Sequence, residues 1–334
     1  LEFKDGKIVN ATGSDTKGLN AILLTQPENC RYISGFTGSG GWSGTLFISQ
    51  DSAVLATDFI HLEQARQEAP DFDVVAIKSY AQGFAQLLSG SGKSGKVGFE
   101  ADVLTVADFR RLSEEADKAR AELVPTEEIV ASLRATKDEG EISCLLRAAF
   151  IADTAIEYIA GEIHPGMTEK EAAWETEKYI RENGSEPIPF DIIVASGPNA
   201  ALPHAKPTDR PFSEGEPIIF DIGARWKGYC SDLSRTLCLG PRNERFQAVY
   251  DLVLRAQMAA LDGIEAGMTG AQADGIARAI IDQGGHKDAF GHGLGHGVGL
   301  AVHERPRVSF NSTDVLEENA VFTVEPGVYI VGWG

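Results

Sequence analysis

The sequence is poor in thiols, in positive charge and in long apolar runs, and each shortage narrows what the protein can be. Its 334 residues hold four cysteines, Cys30, Cys144, Cys230 and Cys238, scattered without a CxxC pair. That excludes a disulfide scaffold and a zinc ribbon and leaves buried free thiols. No stretch approaches the roughly 18 unbroken apolar residues of a membrane span, and Leu1 to Asn20 lacks the apolar centre of a secretory signal. The expectation is a cytoplasmic enzyme with no membrane partner. Against 49 Asp+Glu stand only 30 Lys+Arg, a formal net charge of -19. A field of that sign repels a phosphate backbone and excludes nucleic acid as the natural ligand. Hydrophobic residues make up 43% and charged residues 24% of the chain, which excludes disorder as the main state, and the length favours two domains. Asn10-Ala-Thr12 and Asn311-Ser-Thr313 match glycosylation acceptors, but such triplets arise by chance and no secretory route accompanies them.

Up to about Pro125, short β-rich runs (Ala21 to Thr25, Gly44 to Ser49, Ser52 to Thr57, Phe72 to Lys78) alternate with helical patterns (Ile60 to Glu68, Val106 to Ala116). This rhythm predicts a small α/β domain. Its glycine-rich stretch from Phe36 to Gly41 lacks the Lys of a phosphate loop and reads as a turn. Residues 127 to 163 read as mostly helical, with the charged stretch from Lys137 to Glu141 opening a long amphipathic run. The domain boundary belongs in this connection, giving domains 1-127 and 128-334.

The second domain contains an internal repeat. Gly166-Met-Thr-Glu-Lys-Glu-Ala172 recurs 101 residues later as Gly267-Met-Thr-Gly-Ala-Gln-Ala273. His204-Ala-Lys-Pro207 echoes His303-Glu-Arg-Pro306, and Ile219-Phe-Asp-Ile-Gly223 echoes Thr323-Val-Glu-Pro-Gly327. Two copies of one helix-helix-strand unit, related by a pseudo-twofold axis, are expected to bring equivalent side chains face to face.

The repeat makes sense of the acidic residues. Asp221 lies in the apolar run Pro217 to Ile222, where a carboxylate needs a cation or a donor network. Asp232 follows after a polar turn at Lys227-Gly228, as if on a neighbouring strand; taken alone, the pair is better read as a turn or capping residue and a partner for Arg235. Glu325 holds the repeat position of Asp221 in a second apolar strand. Four of seven histidines, His204, His292, His296 and His303, fall in two Gly- or Pro-flanked segments of the same domain. The run Gly291-His-Gly-Leu-Gly-His-Gly-Val-Gly299 is too rich in glycine for a helical HExxH site. It is either a flexible loop or a backbone that must pass close to a site. Asp221, Asp232, Glu325 and one imidazole form an oxygen-rich set suited to Mn²⁺ or Co²⁺, and several carboxylates at one point usually mean two metal ions. By the repeat, the partner of Asp232 falls near position 336, past Gly334.

Phe220-Asp-Ile-Gly-Ala224, Tyr229-Cys-Ser-Asp-Leu-Ser-Arg-Thr236, Gly291-His-Gly-Leu-Gly-His-Gly297, Val302-His-Glu-Arg-Pro306 and Val324-Glu-Pro-Gly-Val-Tyr329, in this order, closely resemble the creatinase, proline dipeptidase and aminopeptidase P family. The resemblance covers nearly the whole chain. It implies an α/β N-terminal domain plus an α+β catalytic domain of duplicated pita-bread fold. It also implies two divalent metal ions, Mn²⁺ or Co²⁺, with Asp221 on one metal, Asp232 bridging, and His296 and Glu325 on the other. A fifth ligand, a glutamate, is expected beyond residue 334. His204, His292 and His303 match substrate-contacting histidines, with catalytic roles expected for His204, His303 and the proton-shuttling Glu325. His303-Glu-Arg-Pro-Arg307 resembles the segment in some proline dipeptidases whose arginine binds the substrate carboxylate, so Arg307 joins His292 as a substrate contact. The implied reaction is metal-assisted hydrolysis of Xaa-Pro bonds in short proline-containing peptides by a homodimer, the N-terminal domain serving dimerisation and capping of the active-site mouth.

Arg307 favours a dipeptidase over an aminopeptidase P acting on longer peptides. Creatinase-like hydrolysis without metal fits poorly, because that branch has lost acidic ligands that Asp221, Asp232 and Glu325 retain. A methionine aminopeptidase shares the catalytic fold but not an N-terminal domain of this size. A non-catalytic binding module would have no use for all four visible ligands.

Overall fold

The computed structural model describes residues 2–4, 7–10, 18–38, 44–90 and 95–334. Ala11 and Thr12 of the first glycosylation triplet, and the end of the glycine-rich stretch from Ser39 onward, lie outside them. The chain divides into two compact units, Leu1–Leu133 and Arg134–Gly334.

The first unit opens with a hairpin of β1 (Glu2–Lys4) and β2 (Lys7–Asn10). There follow β3 (Ala21–Leu24), α1 (Pro27–Ser34), β4 (Thr45–Ser49), β5 (Ala53–Thr57), α2 (Leu62–Glu68), β6 (Asp73–Ala76), α3 (Tyr80–Gly90), β7 (Lys96–Glu100), α4 (Val106–Ala119) and β8 (Glu122–Thr126). The last six strands form one sheet in the order β6-β5-β4-β3-β7-β8. Its β3–β4 and β4–β5 pairs are antiparallel, the others parallel. Strand β3 is buried on both faces. Ile22 and Leu24 join a core with Cys30 of α1 and Ala65 of α2, while Ala21 and Leu23 join Phe84 of α3 and Leu112 of α4. A strand covered by helices on both sides must be apolar throughout, which is why it reads as an unbroken hydrophobic run. The runs picked out by pattern are β3 to β6, α2 and α4. Strands β7 and β8 escape that reading because Gly98 and Pro125 are poor strand formers, and Pro125 is tolerated because β8 is an edge strand.

A short helix, α5 (Ala131–Ala135), leads into α6 (Glu139–Glu162), which starts at a reciprocal capping box between Asp138 and Glu141. Then come α7 (Glu169–Glu182), β9 (Ile193–Ser196), β10 (Pro217–Ile222), β11 (Arg225–Trp226), β12 (Tyr229–Cys230), β13 (Leu233–Cys238), α8 (Glu244–Gly263), α9 (Gly270–Gln283), β14 (Gly295–Gly297) and β15 (Glu304–Val308). Helices α7 and α9 start and stop at the same offset of 101 residues, each behind a capping box, Thr168 with Glu171 and Thr269 with Gln272. The amides of Gly166 and Gly267 donate to the carbonyls of Phe212 and Leu316, whose own amides donate back to Met167 and Met268. Identical cap and turn chemistry at matched positions is the repeat expressed as structure. Each copy keeps its own core, one centred on Ile159, Ile180 and Phe220, the other on Ala260, Ile281 and Leu294.

Candidate metal centre

Alternation along β10 places the first carboxylate. Ile218, Phe220 and Ile222 are fully buried under α6 and α7, so Ile219 and Asp221 face the other way, into a cavity of about 1970 Å³ within the second unit. Strand β13 runs antiparallel beside β10, with Ser234 opposite Asp221. Asp232 stands just before β13, after the ribbon of β11 and β12 has turned at Lys227 (φ 49°) and Gly228 (φ 85°). The two carboxylates therefore meet on neighbouring strands. Arg235 is turned away from Asp232 and lies 3.9 Å from Asp153, so the alternative partner for Asp232 is not formed.

The second copy brings the rest. In β14, His296 and the following segment lie against residues 321–325: the Thr323 amide donates to the His296 carbonyl at 2.8 Å and the Glu325 amide to the Leu294 carbonyl at 2.8 Å. The Thr323 hydroxyl accepts from the His296 amide at 3.0 Å and donates to Glu325 Oε1 at 2.9 Å, tying the His296 backbone to the Glu325 side chain. His296 Nδ1 donates to the Gly297 carbonyl, which leaves Nε2 directed at Asp232 Oδ2 (3.4 Å) and Glu325 Oε1 (3.2 Å).

Three carboxylates in so small a space repel one another, and the titration behaviour shows it. Burial and the charges of Asp232 and Glu325 push Asp221 up to about 7. Burial opposes the charge on His296, yet the hydrogen bonds to Asp232 and Glu325 prevail and raise it to about 10. Burial alone would raise Glu325, but the His296 bond and charge and the Thr323 hydroxyl take it below the usual carboxylate range. Burial and the neighbouring His296 charge lower His303. The site thus demands positive charge. The His296 imidazolium supplies part of it through Asp232 and Glu325; among the described residues no three His, Cys, Asp or Glu donors enclose an ion. Asp221 Oδ1 remains buried with no hydrogen-bond partner. An orphaned carboxylate oxygen beside two further carboxylates and an imidazole fits a divalent cation.

The other histidines face the same cavity. The rings of His303 and His296 are 4.2 Å apart. His292 donates from Nδ1 to the Gly293 carbonyl at 2.7 Å and accepts at Nε2 from the Tyr329 hydroxyl at 3.1 Å. His204 is exposed and also lines the cavity. Arg307 pairs with His296 in the β14–β15 register, and its exposed side chain lines the cavity.

Sequence reasoning missed the residues that hold this site from behind. Glu304, next to His303, is buried between Arg134 and Lys137, with Lys137 Nζ 2.8 Å from its Oε1 and both cation side chains almost fully buried. Glu169, wholly buried at the start of α7, accepts from the Ser196 amide (2.7 Å) and the Thr208 amide (2.9 Å), tying β9 to the loop that carries His204. The unusual spacing of charge before α6 was the one available signal for Lys137.

Of the glycines in the 291–299 run, Gly293, Gly295 and Gly297 lie close against backbone, whereas Gly291 has open space around it. A Cβ on Gly295 would stand 2.0 Å from the Thr323 carbonyl oxygen, and one on Gly297 2.0 Å from that of Arg305. These are backbone atoms that cannot swing away, so the flexible-loop reading gives way to tight packing. Gly295→Ala is expected to destabilise the protein by at least about 1–3 kcal/mol, seen as a lower urea midpoint; an unchanged midpoint would contradict this packing.

Such a duplicated α+β unit brings acidic and imidazole side chains from both halves to one cavity. The profile of metallopeptidase family M24 matches residues 143–334, and that of the creatinase/prolidase N-terminal domain matches residues 14–136. An Xaa-Pro dipeptidase from Pyrococcus furiosus is 34% identical over 95% of this chain and 88% of its own. The solved structure of an Xaa-Pro dipeptidase from Bacillus anthracis is 39% identical, with a TM-score of 0.88 over 95% of this chain and 87% of that one. An X-Pro aminopeptidase from Thermotoga maritima is 37% identical, with a TM-score of 0.84 over 94% of this chain and 90% of that one. The chain belongs to metallopeptidase family M24, with the pita-bread catalytic fold behind a creatinase-type N-terminal domain. It is an enzyme, a hydrolase of the prolidase type that depends on divalent metal.

Proposed function

We propose that this peptidase hydrolyses Xaa-Pro dipeptides with two divalent cations, Mn²⁺ or Co²⁺, held by Asp221, Asp232, His296 and Glu325. The observation that carries the reading is the orphaned Asp221 oxygen in a cavity where the charges of Asp232 and Glu325 act on Asp221 and His296 reaches both of those carboxylates. When bound, such cations lower the pKa of water toward neutrality and polarise the carbonyl. The chain's own groups do the rest. Glu325 accepts a proton from the attacking water and returns it to the leaving nitrogen. His303, beside His296 on the cavity wall, donates an N–H to the oxygen on which negative charge develops. His204 and His292 contact the substrate at the cavity wall. Arg307 pairs with the free carboxylate through its planar fork.

A bond before proline is a tertiary amide without N–H, so peptidases that grip this donor lose a contact and a dedicated pocket is required. A second reading, aminopeptidase P activity on longer peptides, is favoured by the comparable likeness to the Thermotoga enzyme. Hydrolysis of a matched Xaa-Pro dipeptide and Xaa-Pro tripeptide, with Mn²⁺ and after chelation, separates the two. Metal-dependent cleavage confined to the dipeptide is the expected result; preference for the tripeptide would move the assignment to aminopeptidase P, and cleavage of neither would overturn both.

A further inference from the structure

We infer that Asp274 and Arg278 of α9 are positioning residues, a clamp that sets the backbone carrying His292 and His296; the catalytic part of this inference rests on the function proposed above. The Asp274 side chain is 1% exposed, and its two oxygens take the Arg278 guanidinium at 2.6 Å (Nε) and 2.9 Å (Nη2). From that fixed orientation Arg278 donates to two carbonyls of the glycine-rich segment, Phe290 at 2.9 Å and His292 at 2.7 Å. Asp274 Oδ1 accepts the buried Leu294 amide at 2.9 Å. The guanidinium also lies 4.1 Å over the Phe290 ring.

These contacts fall on residues 290, 292 and 294, every second residue along the segment that leads to His296. The segment needs an external template because its glycines, chosen for close approach, supply no side chains to lock their own backbone. A planar five-donor fork held by a carboxylate can serve both carbonyls at fixed angles, which an ammonium cannot. The first copy has no counterpart: the matching positions on α7 are Ala173 and Glu177, and Glu177 pairs outward with exposed Arg181. The clamp belongs to the copy that carries His292 and His296; in the first copy the loop that carries His204 is tied instead by Glu169 through the Thr208 amide and hydroxyl.

The test compares Arg278→Lys and Arg278→Ala with Arg181→Met, which removes the exposed pair of the same spacing on α7. In Mn²⁺-loaded protein, both Arg278 variants are expected to lower kcat for an Xaa-Pro dipeptide by about 10–100-fold, as for other groups that orient metal-site histidines, with KM changed by less than about threefold. Guanidinium at millimolar concentration should restore part of the Arg278→Ala loss, since the side chain is 21% exposed and its site can be reached. Arg181→Met should leave kcat unchanged. Hydrogen exchange at the Leu294 amide, in metal-free protein, should quicken in both Arg278 variants while that of Val194 stays slow. Wild-type kcat in Arg278→Lys, or Leu294 protection retained in it, would overturn the clamp. If even the wild-type chain cleaves no Xaa-Pro peptide, the proposed function falls, and Leu294 exchange still decides whether the segment is clamped.

Discussion

Asp232→Ala is expected to reduce metal-dependent hydrolysis to background while leaving the protein folded. Asp232 lies between the two halves of the duplicated unit: its carboxylate reaches His296 at 3.4 Å and is among the charges that raise Asp221. Removing it takes away the group best placed to be shared by two cations. Packing loses little, because the side chain lines the cavity rather than either core. Strain even falls, since one of two like charges acting on Asp221 disappears. Single histidines should matter less. His204→Ala or His303→Ala removes one polar contact or proton donor, an effect of about 10²–10⁴ in rate, and metal uptake survives. The checks are circular dichroism for the fold, bound-metal analysis and turnover of an Xaa-Pro dipeptide. Substantial turnover by metal-loaded Asp232→Ala would sink the assignment of the centre.

Raising the pH from 6 to 8 is expected to tighten Mn²⁺ uptake by chelated protein, and more steeply below pH 7 than above it. The metal-free centre carries a proton on Asp221 below about pH 7 and one on His296 up to about pH 10. Both must leave before these groups can act as ligands, so metal and protons compete. Below pH 7 two protons are displaced, and apparent affinity should change by up to roughly 100-fold per pH unit; above it only the His296 proton remains, giving roughly tenfold. The sign follows from both values being raised: a group that holds its proton to higher pH weakens metal binding as the pH falls. Competition titrations against a chelator at pH 6, 7 and 8 read this directly. A flat profile would mean that neither group gives up a proton to the metal.

Much of the centre was legible in the sequence, and for identifiable reasons. Asp221 stood out because a carboxylate in an apolar strand is expensive, and the structure shows the expense in its partnerless oxygen and raised pKa. Glu325 was found through the repeat, whose cap and turn residues are local chemistry and survive divergence of the cores. The segment around His296 was ambiguous, since glycine alone does not say whether a backbone is loose or closely packed; contact with Thr323 and Arg305 decides it. Asp274, Arg278, Glu169, Arg134 and Glu304 were invisible, because a charged residue usually faces water and nothing local marks the ones that do not.

Alternation, caps and duplication, then, are properties of neighbouring residues, and through them the sequence by itself determined the two-part α/β and α+β organisation, the repeat and the identity of the acidic and histidine donors. Which of those donors touch, what charge they hold in common, and which buried ion pairs hold their backbones depend on residues from Arg134 to Tyr329 meeting across distant parts of the chain. Electrostatic energy depends on distance and burial, and both are set only when the two copies have folded against each other.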